Sequence, residues 1–254
     1  MRGPRTARLR PVPTKRPPAH NQGEPIWLRE AERPAKPQPL TRERIVQAAM
    51  TIADNEGLDA VSIRRIAAEL QARPMSLYAH IGSKDDLLEL MHDAAVRETL
   101  VGEVPSDWRE ALRTLARYNR AAALRHPWLL ATREASCPIG PASLKRMDES
   151  AAAVRELNAD SAVLRALILA VDTYTLGHVT AELSGRIRRR TTEAANTTRR
   201  EATTHYVQTQ IDAGKLPHLA DTGLTDLLHN DDLQASFELG LDWLLAGAAE
   251  SLGQ

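Results

Sequence analysis

The chain alternates between apolar stripes at helical spacing and short polar breaks, and no stretch alternates residue by residue as a strand would. The clearest stripe lies in residues 62–90, which predict two short helices, a tight turn and the start of a longer helix. In the first helix, apolar residues fall at i, i+3, i+4 and i+7, at Ile63, Ile66, Ala67 and Leu70. The pattern predicts an all-α fold.

Proline, glycine and serine mark the ends of these helices. Pro74 cannot continue the first helix, disfavours helical angles at the residue before it and suits the first position of a second helix. The second helix is predicted to run to about Ile81, because Gly82 follows it. Ser83 then caps a third helix, with Asp86 three residues later as in a capping box.

Two short helices joined by a tight turn are typical of a helix-turn-helix, which places its second helix in the major groove of DNA. Met75 can contact a thymine methyl group, and Ser76 can bond a base or a phosphate. Tyr78, His80 and Lys84 are spaced to reach phosphates. An ordinary helical hairpin with solvated polar residues is the alternative. The predicted DNA-binding residues are Arg64, Pro74, Met75, Ser76, Tyr78, His80 and Lys84.

The segment 41–98 resembles the DNA-binding domain of the TetR family of bacterial repressors. The run is without gaps, and its most specific part is SLYAHIGSK followed by a leucine-rich helix. From Asp107 onward, DWREALRTLARYNRAAALRHPW, DTYTLGHV and SFELGLDWLLAGAAES resemble the ligand-binding domain of the tetracycline-repressor branch. The resemblance implies a homodimer that binds a palindromic DNA operator and is released by a small-molecule effector.

Three parts of the chain follow from these patterns. Residues 1–39 hold nine of the fifteen prolines and nine Arg or Lys against three Glu, and are predicted to be disordered. They are a basic arm for the minor groove, a dangling tail, or the result of a start codon placed too early. Residues 40–101 form a three-helix DNA-binding domain, whose last segment, 84–101, is the connecting helix. Residues 102–254 form a helical ligand-binding and dimerisation domain.

Helices are predicted in the last part at 107–130, 142–157, 161–183 and 234–252. The helices at 161–183 and 234–252 are more apolar than a monomer requires, which predicts a dimer interface of two helices from each chain. The Arg- and Thr-rich stretch 186–204 is predicted to be a solvated loop.

Polar or aromatic residues set in apolar stretches are the predicted ligand-pocket residues, although most could also be ordinary core groups. They are Trp108, Asn119, Trp128, Arg133, Asp172, Thr173, Tyr174 and His178. The positions that tetracycline-binding relatives use for the drug or its magnesium hold Leu100, Leu115, Arg133 and Thr173 in this chain. Leucine cannot ligate a hard cation and arginine repels one, so we expect neither a metal nor another cofactor.

Composition narrows the class of protein further. The formal net charge is zero, and the single cysteine, Cys137, excludes an intramolecular disulfide and fits a reducing cytoplasm. We expect no membrane span, because no apolar run approaches about 20 residues. An enzyme is the second hypothesis, but the sequence lacks a Gly-rich phosphate loop, a metal-spaced His/Cys set and a local triad. A DNA-binding regulator without a ligand, or an activator, is the third.

Overall fold

The computed structural model describes residues 39–134, 139–191, 193–222 and 233–253, with the backbone alone for 132–134, 186–191, 193–200 and 222. Every regular element in these ranges is helical, which confirms the all-α prediction. The elements are α1 (Arg42–Glu56), a 3₁₀ turn (Leu58–Ala60), α2 (Ile63–Glu69), α3 (Pro74–Leu77), α4 (Lys84–Arg97), α5 (Trp108–Arg125), α6 (Trp128–Glu134), α7 (Pro141–Val154), α8 (Ser161–Thr191), α9 (Glu193–Asp212), α10 (Pro217–Thr222) and α11 (Leu233–Ser251).

The first four helices are hereafter called the reader, and three of them, α1, α2 and α4, begin at side-chain caps that the sequence predicts. Thr41, Ser62 and Ser83 each accept a hydrogen bond from the backbone N–H three residues later, at 3.0–3.3 Å. Such a cap stabilises a helix start by about 1 kcal/mol. Gly57 ends α1 with a φ of 89°, in the left-handed region that glycine tolerates best.

The turn between α2 and α3 has the hydrogen bonds of a Schellman motif. Gln71 has a φ of 52°, and its N–H donates to the carbonyl of Ala68 at 3.2 Å. The N–H of Ala72 donates to the carbonyl of Ala67 at 2.8 Å. These bonds satisfy carbonyls at the end of α2 and turn the chain sharply, so that α3 can begin at Pro74.

Helix α3 is shorter than the sequence predicts. It ends at Leu77 rather than near Ile81. The N–H groups of His80 and Ile81 both donate to the carbonyl of Leu77, at 2.9 and 3.0 Å, so the chain continues in turns instead of a regular helix. The side chain of Leu77 is fully buried and holds this single helical turn on the reader.

Two hydrophobic clusters hold the described residues together, and the first does not end with the reader. Its fully buried members include Ile45, Ile66 and Leu87, but Trp128 and Leu129 from α6 also belong to it. The second cluster is built from α5, α7, α8 and α11. The packing therefore places the start of α6 with the reader, although the sequence predicts a boundary near residue 101.

The prediction of a solvated loop at 186–204 is wrong where the structure describes that stretch. Residues 186–191 continue α8, and residues 193–204 belong to α9. The stretch contains neither glycine nor proline, and its arginine and alanine residues favour helix. Low apolar content predicts exposure, and an exposed segment of this composition can still be helical.

Helices α8 and α11 leave large apolar side chains in solvent. Leu169 and Trp243 are 65% and 68% exposed, and Val163 and Leu239 are 41% and 51% exposed. Over Ser161–Gly185, α8 is long and apolar enough to cross a membrane, with a mean hydropathy of 1.3, and 22% of that window is buried. This judgement rests on length and composition alone, and the span includes Arg165, Asp172 and Glu182, so it is not an uninterrupted apolar run.

Candidate nucleic-acid interface and ligand site

The first turn of α3 presents three exposed side chains. Pro74, Met75 and Ser76 lie side by side at the helix start, and Met75 is 76% exposed. Leu77 points the other way, into the core. The exposed side chain of Met75 is available to contact a partner. In a helix-turn-helix, the first turn of the second helix meets base edges.

The remaining predicted contacts lie on α2, between α3 and α4, and at the start of α4. Arg64 and Lys84 are exposed, and Tyr78 is 47% exposed. His80 is half-buried, and its backbone carbonyl accepts a hydrogen bond from Nε of Arg42 at 3.1 Å. That bond fixes the turn after α3 to the start of α1, so these groups stand on a braced scaffold.

A polar network crosses the C-terminal part at Asp172 of α8. Its Oδ1 lies 3.3 Å from Nδ2 of Asn119 and 3.3 Å from a guanidinium nitrogen of Arg146. The second terminal nitrogen of Arg146 donates to Oγ of Ser150 at 2.5 Å. The network joins α5, α7 and α8, and it brings together two predicted pocket residues, Asn119 and Asp172.

An aromatic cluster lies against α11. Tyr174 stacks on Phe237 at 5.7 Å between ring centroids, and His178 meets Phe237 edge-on at 5.4 Å. The hydroxyl of Tyr174 donates to the backbone carbonyl of Phe237 at 2.8 Å. A Cβ at Gly240 would clash with that hydroxyl and lie 2.9 Å from Cζ of Tyr174, so the close approach of α8 and α11 requires glycine there.

Burial shifts the acid–base behaviour of both rings. Desolvation lowers the pKa of His178 from its ordinary value of 6.5, and the neighbouring charge of Arg120 lowers it further. Desolvation raises the pKa of Tyr174, and the charge of Glu238 adds to the effect. A neutral imidazole and a neutral phenol therefore face this site near neutral pH.

Arg120 completes the cluster with an ion pair that the sequence analysis does not identify. Its guanidinium binds Glu182 at 2.7 Å, contacts Gln234 and lies 5.0 Å from the ring centroid of Phe237. Nε of Arg120 and Nδ1 of His178 are buried and make no hydrogen bond among the described residues. Buried polar atoms usually have partners, and these two nitrogens remain available for hydrogen bonds to a water or a ligand.

The remaining pocket predictions lie elsewhere. Trp108 is buried at the start of α5 with the guanidinium of Arg109 over its ring at 4.6 Å. Thr173 is exposed on α8. Trp128 donates from Nε1 to Oδ1 of Asp54 at 2.7 Å in the reader. The side chain of Arg133 lies outside the described residues.

Four residues of this site are absent from the sequence prediction, namely Arg120, Arg146, Glu182 and Phe237. Phe237 carries a weak signal, as the one phenylalanine in the chain. The charged residues carry none, because only the tertiary fold shows that their helix faces are buried. Within the described residues, no group of three His, Cys, Asp or Glu could hold a metal ion.

An exposed helix-turn-helix face on a helical reader, followed by a helical domain with a buried polar site, defines a DNA-binding regulator. Residues 45–91 match the family model for bacterial regulatory proteins of the tetR family, and residues 102–252 match the tetracyclin repressor-like C-terminal domain. The chain belongs to the TetR family of transcriptional regulators, as its resemblance to that family implies.

Curated relatives support the same class. An HTH-type transcriptional regulator of Saccharopolyspora erythraea is 32% identical over 92% of this chain and 95% of its own length. The HTH-type transcriptional repressor DrrR1 of Streptomyces coeruleorubidus is 38% identical over 59% of this chain, and the match spans 57% of that protein.

Solved structures of other proteins are also similar to this chain in their fold. ActR of Streptomyces coelicolor in complex with actinorhodin is 30% identical, with a TM-score of 0.66 over 85% of this chain and all of that one. BioQ with its double-stranded DNA operator is 27% identical, with a TM-score of 0.50 over 59% of this chain and 92% of that one.

Proposed function

We propose that the protein is a cytoplasmic transcriptional repressor that binds a palindromic operator as a homodimer and is released from it by a small molecule. The observation that carries the proposal is a pair of buried nitrogens, Nε of Arg120 and Nδ1 of His178, that make no hydrogen bond among the described residues. They lie in an aromatic cluster remote in sequence from the reader. A site of this kind fits a ligand with hydrogen-bonding groups on an otherwise apolar frame.

The exposed apolar faces of α8 and α11 support the homodimer. Leu169 on α8 and Trp243 on α11 are each about two-thirds exposed in the single chain, at 65% and 68%. Exposed apolar surface of this extent marks an interaction site, and a second copy of the same two helices would cover it with twofold symmetry. A dimer also supplies the two readers that a palindromic operator requires.

The chemistry of the site supports a flat, largely aromatic effector. Phe237, Tyr174 and His178 offer ring faces and edges, while Nε of Arg120 offers a hydrogen-bond donor. Two solved ActR complexes hold (S)-DNPA and actinorhodin, so proteins of similar fold take up organic ligands. Leu100 and Leu115 occupy positions where tetracycline-binding relatives contact the drug or its magnesium, which disfavours a magnesium-dependent drug.

The test has two steps, because the operator must be found before release can be measured. The protein is first used to select duplexes from a random pool, and we expect a palindromic sequence to be enriched. The selected duplex is then titrated with actinorhodin, and with tetracycline in the presence and absence of EDTA. We expect the protein to be released from the duplex, and we expect EDTA to leave that release unchanged.

Each step can contradict a different part of the proposal. Enrichment of no sequence would remove the DNA-binding role, and enrichment of a site without symmetry would remove the dimer. Release by tetracycline that EDTA abolishes would show that the ligand site binds magnesium after all. Operator binding that no aromatic compound in a broad screen affects would favour a regulator without a ligand.

A further inference from the structure

Arg73 occupies the cap position at the start of α3, the second helix of the helix-turn-helix. It is exposed, and its backbone is extended, with φ of −83° and ψ of 138°. Its carbonyl accepts a hydrogen bond from the N–H of Ser76 at 2.9 Å, which closes the first turn of α3. Among the described residues, its side chain makes no capping hydrogen bond. Arg73 therefore holds the cap position without using its side chain for capping.

Arginine is a poor choice for stability at a helix cap. Helix starts favour Ser, Thr, Asp or Asn, whose side-chain oxygens accept hydrogen bonds from the first backbone N–H groups. The other helices of the reader follow this preference, at Thr41, Ser62 and Ser83. A guanidinium has only donors, so it cannot take this role. A residue that departs from local preference in an otherwise consistent segment is a candidate for function.

Other arginines of the reader are already held by carboxylates. Arg65 lies between two of them, at 2.8 and 3.0 Å, and Arg97 pairs with a third at 2.9 Å. Arg64 and Arg73 are exposed, and neither guanidinium has a hydrogen bond or an ion pair among the residues that the structure describes. An arginine without a protein partner keeps its N–H donors for another molecule.

The backbone on both sides of Arg73 is fixed. The N–H groups of Gln71 and Ala72 close the turn that ends α2. Pro74 restricts the residue before it to extended angles, whichever side chain stands there. Only the side-chain torsions of Arg73 need to be ordered when a partner binds, so the entropic cost is smaller than for a mobile loop.

We propose that Arg73 of each reader bonds the major-groove edge of a guanine in the operator. The side chains at the start of the second helix of a helix-turn-helix meet base edges. Guanine presents the acceptors O6 and N7 there, and the planar fork of an arginine bonds both at once. The contact comes from the guanidinium and does not depend on the backbone N–H groups of the short helix α3. Met75, two residues later, suits a thymine methyl group instead.

This proposal rests on the DNA-binding role proposed above, and it requires neither the effector nor the ligand site. The first test starts from the operator that the wild type selects, in which we expect a guanine at one position of each half-site. That guanine is replaced by 7-deazaguanine, which keeps its pairing with cytosine but lacks N7. The replacement should weaken binding of the wild type by about tenfold and leave binding of Arg73→Ser unchanged.

The matched control is Arg64→Ser, because Arg64 is the same residue type, exposed, on the same reader. A phosphate contact carries no direct sequence information, so this variant should bind both duplexes more weakly and keep the tenfold difference between them. If the wild type and Arg73→Ser are equally sensitive to 7-deazaguanine at every selected guanine, the proposal is overturned.

The second test repeats the selection with Arg73→Ser. We expect the preference for guanine at that position to be lost and the salt dependence of binding to change little. A variant that keeps all base preferences, while its slope of log affinity against log salt flattens by about one unit, would place Arg73 on a phosphate and overturn the proposal.

Stability separates base contact from a structural role. A serine oxygen can accept the capping hydrogen bond that a guanidinium cannot, so Arg73→Ser should unfold at a higher urea concentration than the wild type. Lower stability together with a lost guanine preference would show that the side chain acts through the fold, contrary to the proposal.

The outcomes distinguish this proposal from the one on which it rests. If the wild type enriches no sequence, both fail. If it enriches a palindrome whose base preferences survive in Arg73→Ser, the guanine contact fails and the proposed repressor stands.

Discussion

The carboxylate of Glu149 accepts a hydrogen bond from the backbone N–H of Val101 at 2.9 Å. A second bond, 3.0 Å long, comes from the N–H of Gly102. Glu149 lies on α7 and is 2% exposed, while Val101 follows α4. In the opposite direction, Asp93 of α4 accepts from the N–H of Ala142 at the start of α7, at 2.7 Å. Two carboxylates thus connect α4, and the residues that follow it, to α7 at two places, so the helix that leads out of the reader is braced by the C-terminal domain.

Removal of the Glu149 carboxylate should destabilise the fold. Glu149→Ala removes the acceptor of two part-buried backbone N–H groups, at a cost of about 1–3 kcal/mol. Urea unfolding followed by circular dichroism measures the change. The matched control is Asp148→Ala on the same helix, whose carboxylate is 73% exposed and pairs only with Lys145 in the described residues. An exposed pair of this kind contributes about 0–1 kcal/mol, so similar losses in both variants would contradict the role given to Glu149.

A single methyl group added where α8 packs on α11 should lower the stability of the fold. Gly240→Ala places a Cβ against the Tyr174 side chain, and the strain should cost about 1–3 kcal/mol. Tyr174→Phe removes the hydroxyl, so the double variant should lose less stability than the sum of the single variants. Gly247→Ala on the same helix meets nothing within 4 Å and serves as the control. Strict additivity in the unfolding free energies would show that the two residues do not interact.

Substitution of a residue that contacts phosphate and substitution of a residue that contacts bases should have different effects on DNA binding. Lys84→Ala should weaken every duplex alike and flatten the slope of log affinity against log salt by about one unit. Substitutions at Met75 should instead change which bases are selected. The control is Lys145→Ala, a cation on α7 far from the reader in sequence. A Lys84→Ala variant that keeps the full salt slope but prefers different bases would contradict the proposed docking.

A charge on the exposed apolar face of α11 should separate the protomers. Trp243 is 68% exposed in the single chain, so Trp243→Glu should leave the fold intact and give monomers in sedimentation. Loss of the second reader should weaken operator binding by about 100-fold. Met147→Glu places the same charge on an exposed apolar residue of α7, where we expect the dimer to persist. A Trp243→Glu dimer of unchanged affinity would place the interface elsewhere.

The burial of His178 should make stability depend on pH. Its pKa is lowered in the folded state, so between that pKa and 6.5 the unfolded chain binds the proton and the folded chain does not. Above pH 6.5 the histidine is neutral in both states. As the pH falls from 6.5 toward the pKa of the folded state, the folded state loses stability. The loss between about pH 7.5 and about pH 5 should be smaller in His178→Gln than in the wild type. Unfolding free energies measured at both pH values decide the point, and an equal loss would contradict it.

Local chemistry explains what the sequence predicts well. The caps at Thr41, Ser62 and Ser83 depend on residues three positions away, so the sequence alone places those helix starts. The interior of the second domain depends on contacts across long separations, and the sequence predicts it less well. Leu241 illustrates the limit, because its helical stripe marks it as apolar but cannot tell interface from core. The structure buries it completely within the chain, while Trp243 two residues later faces outward.

The packing of Trp128 and Leu129 into the core of the reader has a consequence for exchange between regulators. A graft that joins residues 40–101 to another regulator's C-terminal domain would leave a hole where the indole ring belongs, and it would strand the Asp54 carboxylate. A functional chimera must therefore carry residues 126–129 with the reader, or receive equivalent side chains from its new host. The set of residues that completes the packing of the reader in this protein is thus discontinuous in sequence.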